Sequence, residues 1–520
     1  MKKLIYKSLV VFLVSTTTFF AGTASAKAIR ADTTFAVKGF HLDLRVQVMK
    51  LPALKQFVLK LSKKGVNTII MEWEATYPFK TETLIPNRYA YTRQEVAQFI
   101  SYCKLLHVDV IPLQQSFGHV EYILRNYKYA ALREDDKDYS QVCPSEPELN
   151  KQLFTKLYAD MIATHQSNYI HIGGDETYLL GHCEKCKKRA AEVGISRLYF
   201  DHIKMLCDIV VSMEKRPIVW ADIALKYPDY IHLLPKQTVF IDWNYGWDIN
   251  RFGDHSALAK SGYEIWGAPS IRSEPDNYFI TTWQKHFNNV KDFTPLSKKL
   301  GYKGIVMTSW STSGVYSSVF ESSEQLVDLY AIRHVYPITG FNIIIDAYLD
   351  AINTDKPLDI QKFILAYCNS KFGISGKQAL LFQEALFTAP YKVENGKVLS
   401  PHPMSVKQLQ DSAQYALKIL NGITPIKAVE EFKQYRLMAA IRVYYLTFMN
   451  IEADVNNDPA PNKIAGYLTR LKLLLQDEQP LNAAFINLNQ ATFYKSELEQ
   501  ENQLRNQKIH LLYQRLSKLR

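Results

Sequence analysis

The stretch His171-Ile172-Gly173-Gly174-Asp175-Glu176 decides how the rest of the chain is interpreted. It follows Ser167-Asn168-Tyr169-Ile170, whose composition predicts a short β-strand. Glycines at the end of such a strand, followed by two adjacent carboxylates, indicate a strand end that opens into a cleft. Because neighbouring side chains on a strand point to opposite faces, we expect Asp175 and Glu176 to have two different roles.

Short apolar runs alternate with longer amphipathic segments over residues 38–310. The predicted strands are residues 39–43, 67–73, 108–114, 168–173, 216–220, 238–243, 262–266 and 304–310. Eight such units argue for a (β/α)8 TIM barrel, whose site lies at the carboxyl ends of the strands. A doubly wound open sheet is the alternative, because periodicity does not show whether a sheet closes.

Beyond residue 336 strand patterns nearly vanish and amphipathic helices follow one another. The predicted helices are residues 341–352, 358–371, 376–387, 405–420, 428–453, 464–475 and 481–516. The predicted fold is therefore α/β, with a (β/α)8 TIM barrel catalytic domain at residues 27–351. An all-α C-terminal domain is predicted at residues 352–520.

Residues 1–26 have the pattern of a secretory signal peptide. Lys2, Lys3 and Lys7 precede an apolar run over residues 9–20, and Ala24-Ser25-Ala26 is a small-residue cleavage site. The apolar run is short for a membrane span, so none is expected once the signal is removed. We expect an exported chain, periplasmic or extracellular, that begins near Lys27.

Charge and cysteine content exclude other classes of protein. The formal net charge is +11, and about +8 without the three signal lysines, but no dense basic run with aromatics is present. This pattern indicates a solvated basic surface and not a nucleic-acid partner. Six cysteines are too few at this length for a disulfide scaffold.

Polar and aromatic residues cluster where the predicted strands end. They are Asp43, Glu72, Glu74, Gln115, His119, Asp175, Glu176, Trp220, Asp222, Trp243, Tyr245, Trp266, Trp310 and Thr312. Any one tryptophan could equally be a core residue at the barrel top. Together, aromatic rings beside carboxylates indicate a carbohydrate site, where flat rings stack on sugar faces.

The stretch at residues 171–176 resembles the H-x-G-G-D-E signature of family 20 glycoside hydrolases, the β-N-acetylhexosaminidases. Residues 111–119 and 304–311 are similar to the third and eighth strands of the branch that includes hexosaminidase D. The resemblance implies an exo-acting retaining enzyme that needs no cofactor or metal, in which the substrate's 2-acetamido oxygen attacks C1 to form an oxazolinium ion. Glycans with a terminal β-linked GlcNAc or GalNAc are the implied partners.

The resemblance also implies roles for individual residues. Glu176 would protonate the leaving oxygen and then activate water, which requires a raised pKa to which ionised Asp175 contributes. Asp175 would orient the acetamido N–H and stabilise its positive charge. The aromatic candidates for the substrate-binding pocket are Trp220, Trp243, Trp266 and Trp310, with Tyr245 as the donor to the acetamido oxygen.

Two positions depart from the family pattern. The arginine of a D-x-x-R motif falls on Val46, with Arg45 out of register, and Thr312 stands where a glutamate is usual. Both family residues hold sugar hydroxyls, so we expect these contacts from elsewhere. Glu72, Glu74 and His119 are the candidate substitutes, and each could equally be a residue that supports the site or fills a layer of the barrel. The choice between GlcNAc and GalNAc, which differ at C4, stays open.

The segment His182-Cys183-Glu184-Lys185-Cys186 contains a C-x-x-C motif next to a histidine. C-x-x-C beside histidine is half of a zinc site, but no second such pair completes four ligands. A loop disulfide or two free thiols is therefore favoured over a metal.

Two other functions compete with the hydrolase. One is a glycan-binding barrel protein that lacks turnover. The other is a glycosidase of different sugar specificity, in which Glu176 works with a distant carboxylate such as Glu72 or Asp222.

Overall fold

The computed structural model describes residues 35–45, 47–248, 250–273, 278–311, 337–388 and 404–519, and the backbone of a hairpin at 392–394 and 397–399. The predicted signal peptide, Val46 and Thr312 lie outside these residues. The described residues all fall within one compact unit, Thr34–Arg520.

Eight parallel strands form a closed barrel in chain order. The strands are β1 (Val37–Asp43), β2 (Thr68–Glu72), β3 (Asp109–Leu113), β4 (Tyr169–His171), β5 (Arg216–Trp220), β6 (Val239–Trp243), β7 (Glu264–Ala268) and β8 (Gly304–Met307). The barrel closes where β1 pairs with β8, with Val37 opposite Gly304. The predicted barrel is confirmed, and the open sheet is excluded because its terminal strands would each leave one edge unpaired.

The helices connect and cover these strands. Those of the barrel half are α1 (Leu51–Ser62), α2 (Arg93–Leu105), α3 (Glu121–Leu124), α4 (Pro147–Ile162), α5 (Glu184–Val193), α6 (Ile195–Ser212), α7 (Asp222–Lys226), α8 (His255–Ala259) and α9 (Trp283–Lys299). Those after residue 336 are α10 (Asn342–Ile352), α11 (Ile360–Tyr367), α12 (Gly376–Phe387), α13 (Val406–Gly422), α14 (Val429–Asn457), α15 (Ile464–Leu475), α16 (Glu478–Asn489) and α17 (Lys495–Ser517). The hairpin consists of β9 (Lys392–Glu394) and β10 (Lys397–Leu399).

Local sequence explains where these elements begin and which face they bury. Thr92 and Glu95 form a reciprocal capping box that starts α2. Within the strands, side chains alternate between two cores. Ile70, Ile111, Leu113, Ile218 and Val306 fill the barrel interior, and the alternate positions pack outward beneath the helices. The polar residues at the strand ends are therefore supported by a tightly packed apolar core.

Helix α10 completes the outer layer of the barrel. The Tyr348 hydroxyl donates to the carbonyl of Gly39, at 2.8 Å, and to that of Ile305, at 3.2 Å. This fully buried contact fixes α10 to the seam between β1 and β8. The helical region predicted to follow is present, while the domain boundary at residue 352 stays a prediction.

The predicted single helix over residues 481–516 is wrong, because α16 and α17 are separate. The break lies at Phe493, which is fully buried and forms a bridge with Met49 in the loop after β1. The amide of Lys50 also donates to the carbonyl of Thr492, at 2.8 Å. Tertiary contact with the barrel thus overrides helical periodicity. Among the described residues, no helix is long and apolar enough to cross a membrane.

Candidate active site

The catalytic candidates follow a sharp turn at the end of β4. The strand ends at His171, and Gly173 and Gly174 then take φ values of 75° and 98°. A Cβ atom on Gly173 would lie 2.0 Å from the Gln115 side-chain oxygen, and the positive φ would strain a larger residue whatever the space. The two glycines therefore turn the chain out of the strand and place Asp175 and Glu176 at the barrel mouth.

Asp175 and Glu176 both face His119, in the loop after β3. The His119 Nε2 atom lies 3.7 Å from Asp175 Oδ2 and 3.4 Å from Glu176 Oε2. A Cβ atom on Gly118 would lie 2.7 Å from the Asp175 carbonyl oxygen, so glycine allows this close approach. The expectation that the two carboxylates face opposite ways is wrong, because the strand has already ended and Glu176 has a φ of 48°.

Glu176 has a pKa below its ordinary value. Burial raises the pKa, but hydrogen bonding and charge interaction with His119, followed by a hydrogen bond from Tyr178, outweigh it. The Tyr178 hydroxyl donates to Glu176 Oε1 at 3.0 Å. The predicted raised pKa is thus wrong for the protein without substrate.

His119 carries the opposite shift. Burial lowers its pKa, and the carboxylates of Asp175 and Glu176 more than reverse this, so the pKa lies well above 6.5. A proton shared by His119 and Glu176 therefore resides on the imidazole in the protein without substrate.

Asp222 completes the acidic group. It begins α7 directly beyond β5, is buried, and accepts the Glu176 backbone N–H at 3.3 Å. Burial, and then the charges of Asp175 and Glu176, raise its pKa well above the ordinary value. Both causes favour the neutral form of Asp222.

Asp175 has one oxygen that the protein leaves unsatisfied. Its side chain is 7% exposed, and Oδ1 is buried with no hydrogen-bond donor among the described residues. Buried carboxylate oxygens normally accept a hydrogen bond. This atom is therefore suited to accept a donor from a ligand.

One side of the barrel mouth is aromatic. Trp220, Trp243, Tyr245 and Trp310 form what we call the aromatic wall. The ring centroids of Trp220 and Trp310 are 5.7 Å apart, and those of Trp243 and Tyr245 are 5.1 Å apart. The Trp310 indole N–H donates to the Tyr245 hydroxyl at 2.7 Å, so this bond does not use the phenol proton. Four of the predicted binding residues thus lie together.

Trp266 is the predicted site residue that the structure places elsewhere. It pairs with Gly304, the first residue of β8, and its ring lies 5.4 Å from that of Tyr169, the first residue of β4. The indole N–H donates to Glu264, at the start of β7, at 2.8 Å. Its assignment to substrate binding is wrong, because it fills the barrel interior at the amino ends of the strands.

The other side of the barrel mouth is charged. Asp43, Glu72 and Glu74 surround the guanidinium of Arg45, and we call these four residues the charged wall. Arg45 Nε lies 3.1 Å from Asp43 Oδ1, 3.7 Å from Glu72 Oε1 and 3.3 Å from Glu74 Oε1. Glu72 also contacts His41 Nε2 at 2.8 Å and accepts from Gln115 Nε2 at 3.0 Å. The predicted residues Glu72 and Glu74 are thus both held by Arg45.

Sequence analysis did not assign Arg45 to the site, because its spacing did not fit the family motif. It lies two residues after Asp43, where the chain leaves β1, and its side chain is 4% exposed. Its guanidinium carbon lies 5.4 Å from the centre of the Trp310 ring, which joins the two walls. Its charge also helps to lower the pKa of Glu176. The sequence feature that could have indicated its role is an arginine close to an aspartate at the end of a strand.

These features agree with the comparison of the chain with known families. Residues 43–322 match the model of the glycosyl hydrolase family 20 catalytic domain. The chain belongs to glycosyl hydrolase family 20, and it is accordingly a glycoside hydrolase of the β-hexosaminidase class.

Several individual proteins are similar to this chain. Hexosaminidase D of Bos taurus is 24% identical over 298 residues, covering 54% of this chain and 86% of that protein. Hexosaminidase D of Homo sapiens is 24% identical over 307 residues, covering 56% of this chain and 63% of that protein. A β-N-acetylhexosaminidase structure from Bacteroides fragilis NCTC 9343 aligns with a TM-score of 0.49 and 17% identity over 65% of this chain and 69% of that one.

Proposed function

We propose that the protein is an exo-acting, retaining β-N-acetylhexosaminidase that releases terminal GlcNAc, GalNAc or both from glycans by substrate-assisted catalysis. The observation that carries the proposal is the placement of Asp175 and Glu176 on one histidine, beside the aromatic wall. Family membership and the similarity to hexosaminidase D support the substrate class.

In the first step the substrate supplies the nucleophile. The acetamido carbonyl oxygen attacks C1 as the bond from C1 to the leaving oxygen breaks, and Glu176 gives its proton to that oxygen. Asp175 accepts the acetamido N–H, for which its unsatisfied Oδ1 atom is available. Tyr245 donates its phenol proton to the acetamido oxygen and so aligns it with C1.

In the second step water opens the oxazolinium ion. Glu176, now a carboxylate, takes a proton from the water as its oxygen attacks C1, and the acetamido group is restored. Two displacements at C1 give net retention of configuration. Glu176 ends the cycle protonated, and Asp175 stabilises the cation in between.

The proton for the first step comes from the pair formed by His119 and Glu176. In the protein without substrate the imidazole holds it, since the pKa of His119 is raised and that of Glu176 is lowered. A sugar that displaces the exposed Tyr178 would remove one donor to Glu176 and deepen its burial. Both changes raise the pKa of Glu176 and favour transfer of the proton to it.

Neither candidate for an enzymic nucleophile suits that role. The raised pKa of Asp222 favours its neutral form, which is a poor nucleophile. Glu72 is engaged by His41, Gln115 and Arg45. These observations favour the acetamido oxygen over a glycosidase that acts on sugars without an acetamido group.

The two walls support exo action. The aromatic wall is suited to the acetamido side of one sugar, and the charged wall, whose carboxylates are held by Arg45, keeps the opposite side of the site in shape. Walls on both sides of the Asp175 and Glu176 pair favour a site for one terminal residue. The signal-like residues 1–26 support export to the periplasm or the extracellular space.

The test is the stereochemistry and the acetamido dependence of turnover. NMR of the first product formed from an aryl β-GlcNAc substrate should show the β-anomer, and an analogue with a 2-hydroxyl should be turned over at a negligible rate. Initial formation of the α-anomer, or comparable turnover of the 2-hydroxyl analogue, would refute the mechanism. Binding of the sugar without hydrolysis by the wild type would favour the glycan-binding alternative.

A further inference from the structure

Four side chains outside the barrel mouth converge on one point. They are Glu134, Cys143, Cys183 and Cys186, whose ligand atoms all lie within 4.8 Å of one another. Cys143 Sγ lies 3.5 Å from both Cys183 Sγ and Cys186 Sγ. Cys186 Sγ lies 3.2 Å from Glu134 Oε2. The cluster joins the loop after β3 to the segment that follows the Asp175 and Glu176 pair.

These distances fit a tetrahedral metal centre. Zinc bonds of about 2.3 Å to sulfur place two sulfur atoms roughly 3.8 Å apart in a tetrahedron. A bond of about 2.0 Å to a carboxylate oxygen places that oxygen roughly 3.5 Å from each sulfur. The separations of Cys143 Sγ from the other two sulfur atoms, and of Cys186 Sγ from Glu134 Oε2, need to open by only a few tenths of an ångström to surround an ion.

Burial and charge point to a cation. Glu134, Cys143 and Cys186 are 2%, 2% and 0% exposed. In the part of the chain that the structure describes, no lysine or arginine forms an ion pair with the Glu134 carboxylate. A buried carboxylate is normally paired with a cation or bound to a metal.

Surrounding hydrogen bonds already orient the four groups. Cys183 caps the start of α5, and its sulfur accepts the backbone N–H of Cys186 at 3.3 Å. The backbone N–H of Cys183 donates to Glu134 Oε1 at 3.0 Å, which leaves Oε2 directed at the sulfur atoms. Ser145 Oγ lies 3.0 Å from Cys186 Sγ. Such outer contacts hold metal ligands in orientation.

We propose that Cys143, Cys183, Cys186 and Glu134 bind one structural Zn²⁺ as three thiolates and one carboxylate. Thiolate-rich tetrahedral sites favour zinc among the common divalent ions. The expectation of a disulfide or two free thiols is replaced by this proposal, as is that of a protein without metal. The C-x-x-C segment lacked two ligands in sequence, and folding supplies Cys143 and Glu134 from the preceding loop.

The ion would tie together the two loops that carry the acid–base residues. One loop holds His119 and runs through Glu134 to Cys143, and the other runs from Glu176 to Cys183. Hydrogen bonds between them, such as that from the Leu179 N–H to Gln141 Oε1 at 3.0 Å, already hold the two loops together. Four protein ligands leave no open position, so the site is structural and takes no part in hydrolysis.

Metal analysis of the purified full-length protein is the direct test. We expect about one zinc per chain that survives gel filtration. Cys143→Ser and Glu134→Gln should each lose most of it, whereas Cys368→Ser, which alters a buried cysteine outside the cluster, should retain it. Wild-type protein without bound metal after zinc is supplied, or zinc retained by the Cys143 and Glu134 variants, would overturn the proposal.

The thiols provide a second readout that does not depend on any variant folding. Alkylation of the unfolded wild-type protein without reductant, followed by peptide mass spectrometry, should find Cys143, Cys183 and Cys186 all modified. A disulfide between any two of them would overturn the zinc site. Cobalt substitution should give an intense thiolate-to-metal absorption band that the Cys143→Ser variant lacks.

Discussion

The two sides of the barrel mouth differ in how far their polar groups are paired with other groups of the protein. On the charged wall, Arg45 contacts the carboxylates of Asp43, Glu72 and Glu74. Beside the aromatic wall, Asp175 keeps a buried acceptor that no described residue satisfies. The difference separates two tasks. Groups satisfied within the protein hold the site's shape, and groups left unsatisfied are available to the substrate.

The largest effect should come from Glu176→Gln. Loss of the general acid should lower kcat by roughly 10²- to 10⁴-fold on substrates with poor leaving groups, and less on activated aryl glycosides. Steady-state rates on both kinds of substrate measure this. Glu184→Gln, which alters an exposed carboxylate paired with Lys187, should leave both rates unchanged. Full activity of Glu176→Gln on a poor leaving group would remove Glu176 from the mechanism.

Arg45→Ala tests the charged wall through stability. Three buried carboxylates would lose their common partner, and breaking a buried pair costs about 3–5 kcal/mol in the free energy of unfolding. Denaturant titration measures the loss. The control Arg197→Ala removes an exposed pair with Asp201 and should cost less than about 1 kcal/mol. Equal costs for the two variants would mean that the charged wall does not depend on Arg45.

Asp175→Asn should act through the acetamido group. An amide at this position no longer supplies the negative charge that stabilises the oxazolinium ion, so kcat should fall by roughly 10²- to 10³-fold on acetamido sugars. The rate on a matched glucoside, however slow, should change little. A proportional loss on both sugars would indicate a structural role for Asp175.

Tyr245→Phe should produce a smaller loss from the aromatic wall. Removal of one neutral hydrogen bond to the acetamido oxygen should lower kcat/KM by about tenfold. The ring and its packing against Trp243 remain, so the unfolding midpoint should move little. An unchanged kcat/KM would place the donor to the acetamido oxygen elsewhere.

His119→Asn should shift the pH profile. In the free protein the catalytic proton resides on His119, whose pKa is raised by Asp175 and Glu176. kcat/KM falls as pH rises through the pKa at which the free protein loses this proton. Without His119 the carboxyl of Glu176 holds the proton alone, and it releases a proton at lower pH than the raised imidazole, so the basic limb should move to lower pH. A limb at the wild-type position would show that His119 does not hold the catalytic proton.

Sequence reasoning located the barrel because burial imposes a simple pattern on parallel strands. Each strand is a short apolar run, and β5 begins and ends at the predicted residues. The Asp175 and Glu176 pair was found because its motif is local. Trp266 was misplaced because an apolar run shows that a tryptophan is buried but not toward which end of the barrel its ring lies.

Other errors came from contacts that the local sequence does not encode. The turn at Gly173 and Gly174, with their positive φ values, broke the alternation of strand side chains, and Gly118 from the loop after β3 approaches the Asp175 carbonyl that follows the turn. The lowered pKa of Glu176 depends on His119, which lies in the loop after β3. The role of Arg45 depends on its contacts with Glu72 and Glu74, which β2 and the segment after it place beside it. Long-range packing decides such features.

The most direct measurement is the initial rate on matched aryl β-glycosides of GlcNAc, GalNAc and glucose. If the substrate's acetamido oxygen is the nucleophile, one or both acetamido sugars should be hydrolysed and glucose should be almost inert. Comparable hydrolysis of the glucoside would mean that a carboxylate of the protein attacks C1. The roles assigned to Asp175 and Glu176 would then be contradicted.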